Sequence, residues 1–157
     1  MEDWTAQGIS NLAHALAELG YFDQSLFEEI AKQAERISME GNEQSVTNTL
    51  WAFAIVGVVA KNESAVKLLW NNAIERPGGE FLEVHWRMLA LSRLFAKSEG
   101  VDLVLEDGSE HSRFLKMATS CVVEGSSEFE RKILCDMATT DSRGKCRHLR
   151  ESRVESF

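Results

Sequence analysis

A stretch of 14 residues occurs twice in this chain, with the two copies 37 positions apart. Residues 7–20 read QGISNLAHALAELG, and residues 44–57 read QSVTNTLWAFAIVG. The identical positions are Gln7/Gln44, Asn11/Asn48, Ala15/Ala52, Ala17/Ala54 and Gly20/Gly57. Average amino-acid usage would give about one identity over such a length. A gapless match that ends on glycine in both copies predicts a structural repeat of 37 residues.

Each copy is predicted to begin a pair of helices. In the first copy, apolar residues recur at the spacing of one helix face. They are Ile9, Leu12, Ala13, Leu16 and Leu19. Gly20 and Gly57 are expected to end the first helix of each pair, because glycine adopts the left-handed conformation without strain. The second helix of each pair is expected to start at a capping side chain. The candidates are Asp23 or Ser25 in the first copy and Asn62 or Ser64 in the second. The apolar face of the second helix in the first copy is Leu26, Phe27, Ile30, Ala31, Ala34 and Ile37.

Stacked helix pairs of this length predict an all-α fold, a short α-solenoid of helix-pair repeats with a C-terminal helical extension. A single proline in 157 residues is compatible with a chain that is mostly helical. The expected regions are a helical repeat region at 1–98, an extension at 99–140 and a disordered tail at 141–157. The expected parts are repeats at about 7–43 and 44–80, a long helix at 81–97, and shorter helices at 112–123 and 127–138.

The charge of the chain argues against a general affinity for nucleic acid. The formal net charge is −8, and the first 140 residues carry −10 because the last 17 are net basic. A polyanion would therefore have to meet a local basic patch. Three cysteines without a close pair (Cys121, Cys135 and Cys146) predict reduced thiols inside a cell and no structural zinc. We find no catalytic, cofactor or metal constellation, no secretory signal and no membrane-spanning run, so we expect neither an enzyme nor a membrane protein.

The stretch NTLWAFAIVG, with its echo 37 residues earlier, resembles the octotricopeptide repeat proteins. It also resembles the relatives of that family, the organellar proteins with FAST-kinase-like repeats and RAP domains. Their repeats are often written with the segment N-T-L-W-A-x-A-x-x-G. The matching residues here are Asn48, Thr49, Leu50, Trp51, Ala52, Ala54 and Gly57, and the first copy keeps Asn11, Ala15, Ala17 and Gly20. The resemblance covers about residues 7–75. The RAP domain that the resemblance implies after about residue 140 is not found, and the notable alternatives are a fragment, a truncated product or a wrongly assigned gene.

This resemblance implies a non-catalytic, RNA-binding segment of an organellar gene-expression factor. Such a factor acts in RNA processing, stability or translation in a mitochondrion or plastid. Helical repeats that bind single-stranded RNA use a few polar side chains per repeat. The candidates in this chain are Gln7, Ser10, Asn11, Gln44, Thr47 and Asn48. Their amides and hydroxyls can both donate and accept hydrogen bonds.

The same residues also have structural interpretations. Serine, threonine and asparagine near a helix start commonly cap it, and Asn11 and Asn48 could join one repeat to the next by hydrogen bonds. Trp51 could stack on a base, but it is expected instead to pack in the core or between repeats. The alternative function is a protein-binding α-solenoid scaffold without RNA contact, which the acidic charge favours. The sign of the charge along the first helices of the repeats distinguishes these two functions.

Overall fold

The computed structural model describes the backbone of residues 3–125 and the side chains of residues 3–119. The contacts divide the chain into a unit Met1–Thr119 and a unit Ser120–Phe157. The described residues form seven α-helices and no strand, which confirms the all-α prediction. The helices are α1 (Ala6–Glu18), α2 (Gln24–Lys32), α3 (Ala34–Glu40), α4 (Glu43–Val56), α5 (Glu63–Glu75), α6 (Glu83–Ser98) and α7 (Glu110–Gly125). The predicted helix at 127–138 and the tail at 141–157 lie outside the described residues.

The two glycines that end the sequence copies stop α1 and α4 in the same way. Gly20 has φ of 66° and Gly57 has φ of 74°, both in the left-handed region. Each glycine N–H bonds three residues back, and the next N–H bonds five residues back, over 2.9 to 3.1 Å. This pair of bonds satisfies carbonyls that a helix end otherwise leaves open. The prediction of both helix ends from glycine alone is therefore confirmed.

The second helix of the first copy is interrupted, which the sequence did not predict. Gln33, with φ of −91° and ψ of 3°, separates α2 from α3. The apolar periodicity continues across this break, because Phe27, Ile30 and Ile37 are all buried. Asp23 caps α2 by accepting from the Leu26 N–H at 2.9 Å, which decides between the two predicted caps.

Helix α4 begins at Glu43, before Ser45, Thr47 and Asn48, the polar residues that were expected near its start. Its cap is Asn42, whose Oδ1 accepts from the backbone N–H and the hydroxyl of Ser45, each at 2.9 Å. Further along, the hydroxyl of Thr49 donates to the Ser45 carbonyl at 2.9 Å. Such bonds satisfy a hydroxyl within its own helix. As a result, α4 carries polar residues on its buried faces at little cost in unsatisfied groups.

The core is centred on α4, which packs against α1, α5 and α6, while α3 packs against α5. The largest fully buried side chains come from α1 to α6 and, in the case of Leu103, from the segment between α6 and α7. They are Trp70, Phe27, Phe53, Ile9, Ile30, Ile37, Leu50, Leu69, Leu89, Leu91, Leu103 and Val46. The rings of Phe27 and Phe53 meet edge to face with centroids 5.8 Å apart, which joins α2 to α4. Because α4 has neighbours on three sides, its apolar residues are not confined to one stripe.

The segment after α6 follows the core surface to α7. Residues 99–109 form a loop between α6 and α7, and Val101 and Leu103 within it are buried. The indole of Trp70 donates to the Val104 carbonyl at 2.8 Å, which fixes the loop to α5. Trp86 stacks on Phe114 with centroids 5.0 Å apart, joining α6 to the first turns of α7. No helix among the described residues is long and apolar enough to cross a membrane.

Candidate functional site

The packing of α4 against α1 brings equivalent positions of the two sequence copies together. Asn48 Nδ2 donates to Asn11 Oδ1 at 3.4 Å, so the predicted hydrogen bond between the copies is present. The rings of His14 and Trp51 lie 4.8 Å apart at 31°, and both are half-buried. The packing role predicted for Trp51 is confirmed. These residues, with Gln7 and Gln44, form what we call the α1–α4 ladder: Gln7, Asn11, His14, Gln44, Asn48 and Trp51.

Three of the six residues predicted to contact RNA are open to solvent. Gln7, Asn11 and Gln44 are exposed, so their amides are available to a partner. Asn48 is only 6% exposed, and its amide is used by the bond to Asn11. Any partner on the ladder would therefore contact Asn11 rather than Asn48.

The other two predicted contact residues are inside the fold. Ser10 and Thr47 are both fully buried. The Ser10 hydroxyl donates to the Gln7 carbonyl at 2.9 Å, and the Thr47 hydroxyl donates to the Glu43 carbonyl at 2.9 Å. Their hydroxyls bond back to the preceding turn of the helix and have no surface left for a base. We therefore remove Ser10 and Thr47 from the candidate binding residues.

The electrostatic character of the ladder is neutral to acidic. Neither α1 nor α4 contains a lysine or arginine. Glu18 lies 3.8 Å from Nδ1 of His14 and is 62% exposed. Glu43, at the start of α4, is partly neutralised by Arg76 at 3.6 Å. The charge that was to distinguish RNA from protein as a partner is thus negative at the end of α1, where Glu18 is exposed, and close to neutral along α4.

Arg76 is a structural residue that sequence reasoning missed. Its Nη2 donates to the carbonyls of Ser38 at 3.2 Å and Gly41 at 2.8 Å, and its Nε donates to Asn72 at 2.9 Å. These bonds tie the turn before α4 to the end of α5. The sequence shows only an arginine before a proline, which carries no signal for such a role.

A concave surface lies between α2–α3 and the start of α5. It is an open groove of about 700 Å³ whose rim carries both signs of charge, including Glu28, Glu35, Lys32 and Lys61. The Lys61 ammonium donates to Gln24 at 3.1 Å, again between positions 37 apart. Because carboxylates and ammonium groups alternate along its rim, this groove favours no class of ligand by charge.

Two ionisable groups with shifted pKa values lie away from the ladder: His85, which is buried, and Glu99, which is half-buried. Burial lowers the pKa of His85, and Glu43 opposes this shift in part. His85 Nδ1 accepts from the Leu82 N–H at 3.3 Å, an arrangement that needs the unprotonated nitrogen. Burial raises the pKa of Glu99, whereas the backbone N–H groups of Ala60 and Val59 oppose that shift. His85 lies in the first turn of α6 and Glu99 follows its last residue, so the two groups do not form a common site.

Among the described side chains, no three His, Cys, Asp or Glu residues lie close enough together to hold a metal ion. No family model, curated protein or solved structure matches this chain.

Proposed function

We propose that this chain is a non-catalytic helical-repeat binding module. Three contacts support the repeat: Asn11 with Asn48, His14 with Trp51 and Gln24 with Lys61 all join positions 37 apart. The first helices α1 and α4 pack together, and the second helices α3 and α5 pack together. Two stacked helix pairs would produce this pairing, which is the arrangement of an α-solenoid.

The partner that fits the ladder best is a basic segment of another protein. The observation that carries this proposal is the absence of any lysine or arginine from α1 and α4, beside the exposed carboxylate of Glu18. A lysine or arginine of the partner would contact the half-exposed Trp51 side chain and pair with Glu18. The exposed amides of Gln7 and Gln44 would accept and donate bonds to the partner backbone.

Energetic magnitudes favour protein over RNA at this surface. Base stacking on an aromatic residue contributes about 1–3 kcal/mol per base, and contacts to phosphate supply a large share of nucleic-acid affinity. Two repeats without a cation would offer roughly 2–6 kcal/mol, which corresponds to dissociation constants between about tens of millimolar and tens of micromolar. Repulsion from the acidic surface lowers this further.

The test uses three fluorescent probes: a short oligolysine peptide, an oligoglutamate peptide of equal length and a random single-stranded RNA pool. Binding is followed by anisotropy at low and at physiological salt. Oligolysine should bind, oligoglutamate should not, and Glu18→Lys should weaken oligolysine binding about fivefold, from the size of one surface ion pair. Glu75→Lys is the matched control, since it makes the same charge change at an exposed position of α5. Equal losses in the two variants would contradict the proposal, because net charge alone would then explain binding.

A second candidate is the RNA-binding segment of an organellar factor. The resemblance to octotricopeptide repeat proteins favours it, and so does the exposure of Gln7, Asn11 and Gln44. In the same experiment, an RNA pool that binds more tightly than oligolysine at both salt concentrations would select this function. Gln7→Ala and Gln44→Ala should then each reduce RNA affinity, and a fluorescent fusion should enter a mitochondrion or plastid.

A further inference from the structure

Five aromatic side chains connect the start of α6 with the start of α7. We call them the α6–α7 ring cluster: Phe81 in the segment before α6, His85 and Trp86 at the start of α6, and His111 and Phe114 in α7. The Phe81 ring centroid lies 6.2 Å from that of His85 and 5.0 Å from that of Trp86. The Trp86 ring lies 5.4 Å from that of His111 and stacks on that of Phe114 at 5.0 Å. Two of the five rings are imidazoles, so a proton can add charge inside this contact.

His85 holds the first turn of α6 through its unprotonated nitrogen. Its Nδ1 accepts from the Leu82 N–H at 3.3 Å, and the residue is 7% exposed. Leu82 directly precedes α6, so this bond satisfies one of the N–H groups that a helix start leaves open. A proton on Nδ1 would remove the acceptor and place a charge in a buried position. Both effects disfavour the folded arrangement, and burial accordingly lowers the pKa of His85.

The charged groups around His85 offset this effect only in part. From α4, the Glu43 carboxylate favours the protonated imidazole, but it also pairs with Arg76 at 3.6 Å. From α7, the carboxylate of Glu110 packs on Gly78, in the segment between α5 and α6. On α6 itself, the charged residues two positions before and after His85 lie on other faces of the helix. Burial therefore remains the larger influence on the imidazole.

The first turns of α7 depend on the ring cluster for much of their attachment. Among the residues that the structure describes, α7 has no extensive packing against another helix, although Leu115 and Ala118 are buried. His111 Nε2 donates to the Arg76 carbonyl at 2.9 Å, and an Nε2–H donates in either protonation state. This bond therefore does not respond directly to a proton. A change at His85 instead reaches α7 through the adjoining ring of Trp86.

We propose that His85 is an acid-sensitive latch: it holds the starts of α6 and α7 together while Nδ1 is unprotonated and releases them when Nδ1 takes up a proton. Since its pKa is lowered on folding, its contribution to stability is complete above pH 6.5 and is lost as the pH falls through the folded pKa. Glu99, after the last residue of α6, has the opposite dependence, because burial raises its pKa. Acidification therefore loosens the start of α6 and not its end. The latch is independent of the partner proposed for the ladder.

Hydrogen–deuterium exchange of the full chain at pH 7 and pH 5, corrected for the intrinsic exchange rate, tests the latch. Peptides covering residues 81–90 and 110–119 should exchange about threefold to twentyfold faster at pH 5, as expected for one imidazole that is protonated more easily in the open state. Peptides from α1 should change by less than about twofold, since α1 does not contact the ring cluster. Equal acceleration in all peptides would mean global unfolding and would overturn the proposal.

Three variants identify the residue that responds to the proton. His85→Gln keeps an acceptor for the Leu82 N–H without a titratable ring and should abolish the acceleration. His111→Gln is the matched control, because it removes an imidazole from the same cluster, and it should keep the acceleration. Glu43→Gln removes the carboxylate that favours protonated His85 in the fold, so it should enlarge the acceleration.

A second substitution tests the hydrogen bond itself if His85→Gln does not fold. Leu82→Pro removes the N–H that Nδ1 accepts from, at an exposed position whose φ of −74° suits proline. It should reduce the acceleration, because the bond is lost while the burial of the imidazole remains. The proposal is overturned by a wild-type chain without acceleration, by acceleration that persists in His85→Gln or is unchanged in Leu82→Pro, and by its loss in His111→Gln.

Discussion

Asn48 is buried and donates from Nδ2 to Oδ1 of exposed Asn11 at 3.4 Å, across the contact between α4 and α1. The two residues occupy the same position in the two sequence copies. A buried amide without a partner costs about 1–3 kcal/mol, so this bond matters more to Asn48 than to Asn11. This hydrogen bond also joins equivalent positions of α1 and α4.

Asn48→Ala should lower the free energy of unfolding by about 1–2 kcal/mol, because a bond and buried volume are lost together. Asn11→Ala should cost less than about 1 kcal/mol, since water can reach the Asn48 amide from the exposed side. Urea unfolding of both single variants and the double variant should give a coupling of about 0.5–1 kcal/mol. Gln7→Ala, at an exposed position of the same helix, is the control and should stay within about 0.5 kcal/mol of wild type. A coupling near zero would show that the bond contributes nothing in solution.

The start of α2 offers a direct comparison between two capping candidates. Asp23→Ala should lower stability by about 1 kcal/mol, because it removes the acceptor of the Leu26 N–H. Ser25→Ala should change stability by less than about 0.5 kcal/mol, because Ser25 is exposed inside the first turn of α2. Thermal unfolding followed by circular dichroism measures both. Equal effects of the two substitutions would rule out Asp23 as the dominant cap.

Gly57→Ala isolates the cost of a left-handed backbone. A Cβ at Gly57 meets nothing within 4 Å, so the penalty comes from φ of 74° alone. We expect a loss of about 1–2 kcal/mol. Gly79→Ala is the matched control, because its Cβ is equally free and its φ is outside the left-handed region. It should be neutral or slightly stabilising, as an alanine restricts the unfolded chain. Urea unfolding compares the two, and a neutral Gly57→Ala would mean that the backbone relaxes out of the left-handed conformation.

The helix ends were predictable from sequence where one residue determines the geometry. Gly20 and Gly57 are such cases, because positive φ favours glycine whatever surrounds it. The break at Gln33 was not predictable, since no glycine or proline marks it and the apolar spacing continues on both sides. The interruption depends on packing within the fold, which a local pattern does not contain.

The sequence indicated which residues of the candidate site lie opposite one another, but not which of them are exposed to solvent. The offset of 37 correctly paired Asn11 with Asn48, whereas the ring contact between Trp51 and His14 was not predicted from the sequence. The sequence could not show that Ser10 and Thr47 are buried, because a hydroxyl that bonds back to its own helix has the same local pattern as one facing solvent. Their burial depends on α1 and α4 packing together, a contact between distant parts of the chain.

Glu99 predicts a pH dependence of stability. Its Oε2 accepts from the Ala60 N–H at 3.0 Å, while Oε1 is buried without a hydrogen-bond partner. Burial raises the pKa of this carboxyl above its usual value of 4.5. A raised pKa in the folded state means that the protonated form is favoured on folding. The resulting stability is present in full below pH 4.5 and is lost as the pH rises through the folded pKa.

Glu99→Gln keeps an acceptor for Ala60 and removes the buried charge. The stability of Glu99→Gln relative to wild type should therefore be higher at pH 8 than at pH 4. Glu106→Gln removes a carboxylate from an exposed loop position, and its difference from wild type should vary less with pH. Urea titrations of the three proteins at both pH values measure this, and parallel behaviour of the two variants would assign the pH dependence to net charge instead of burial.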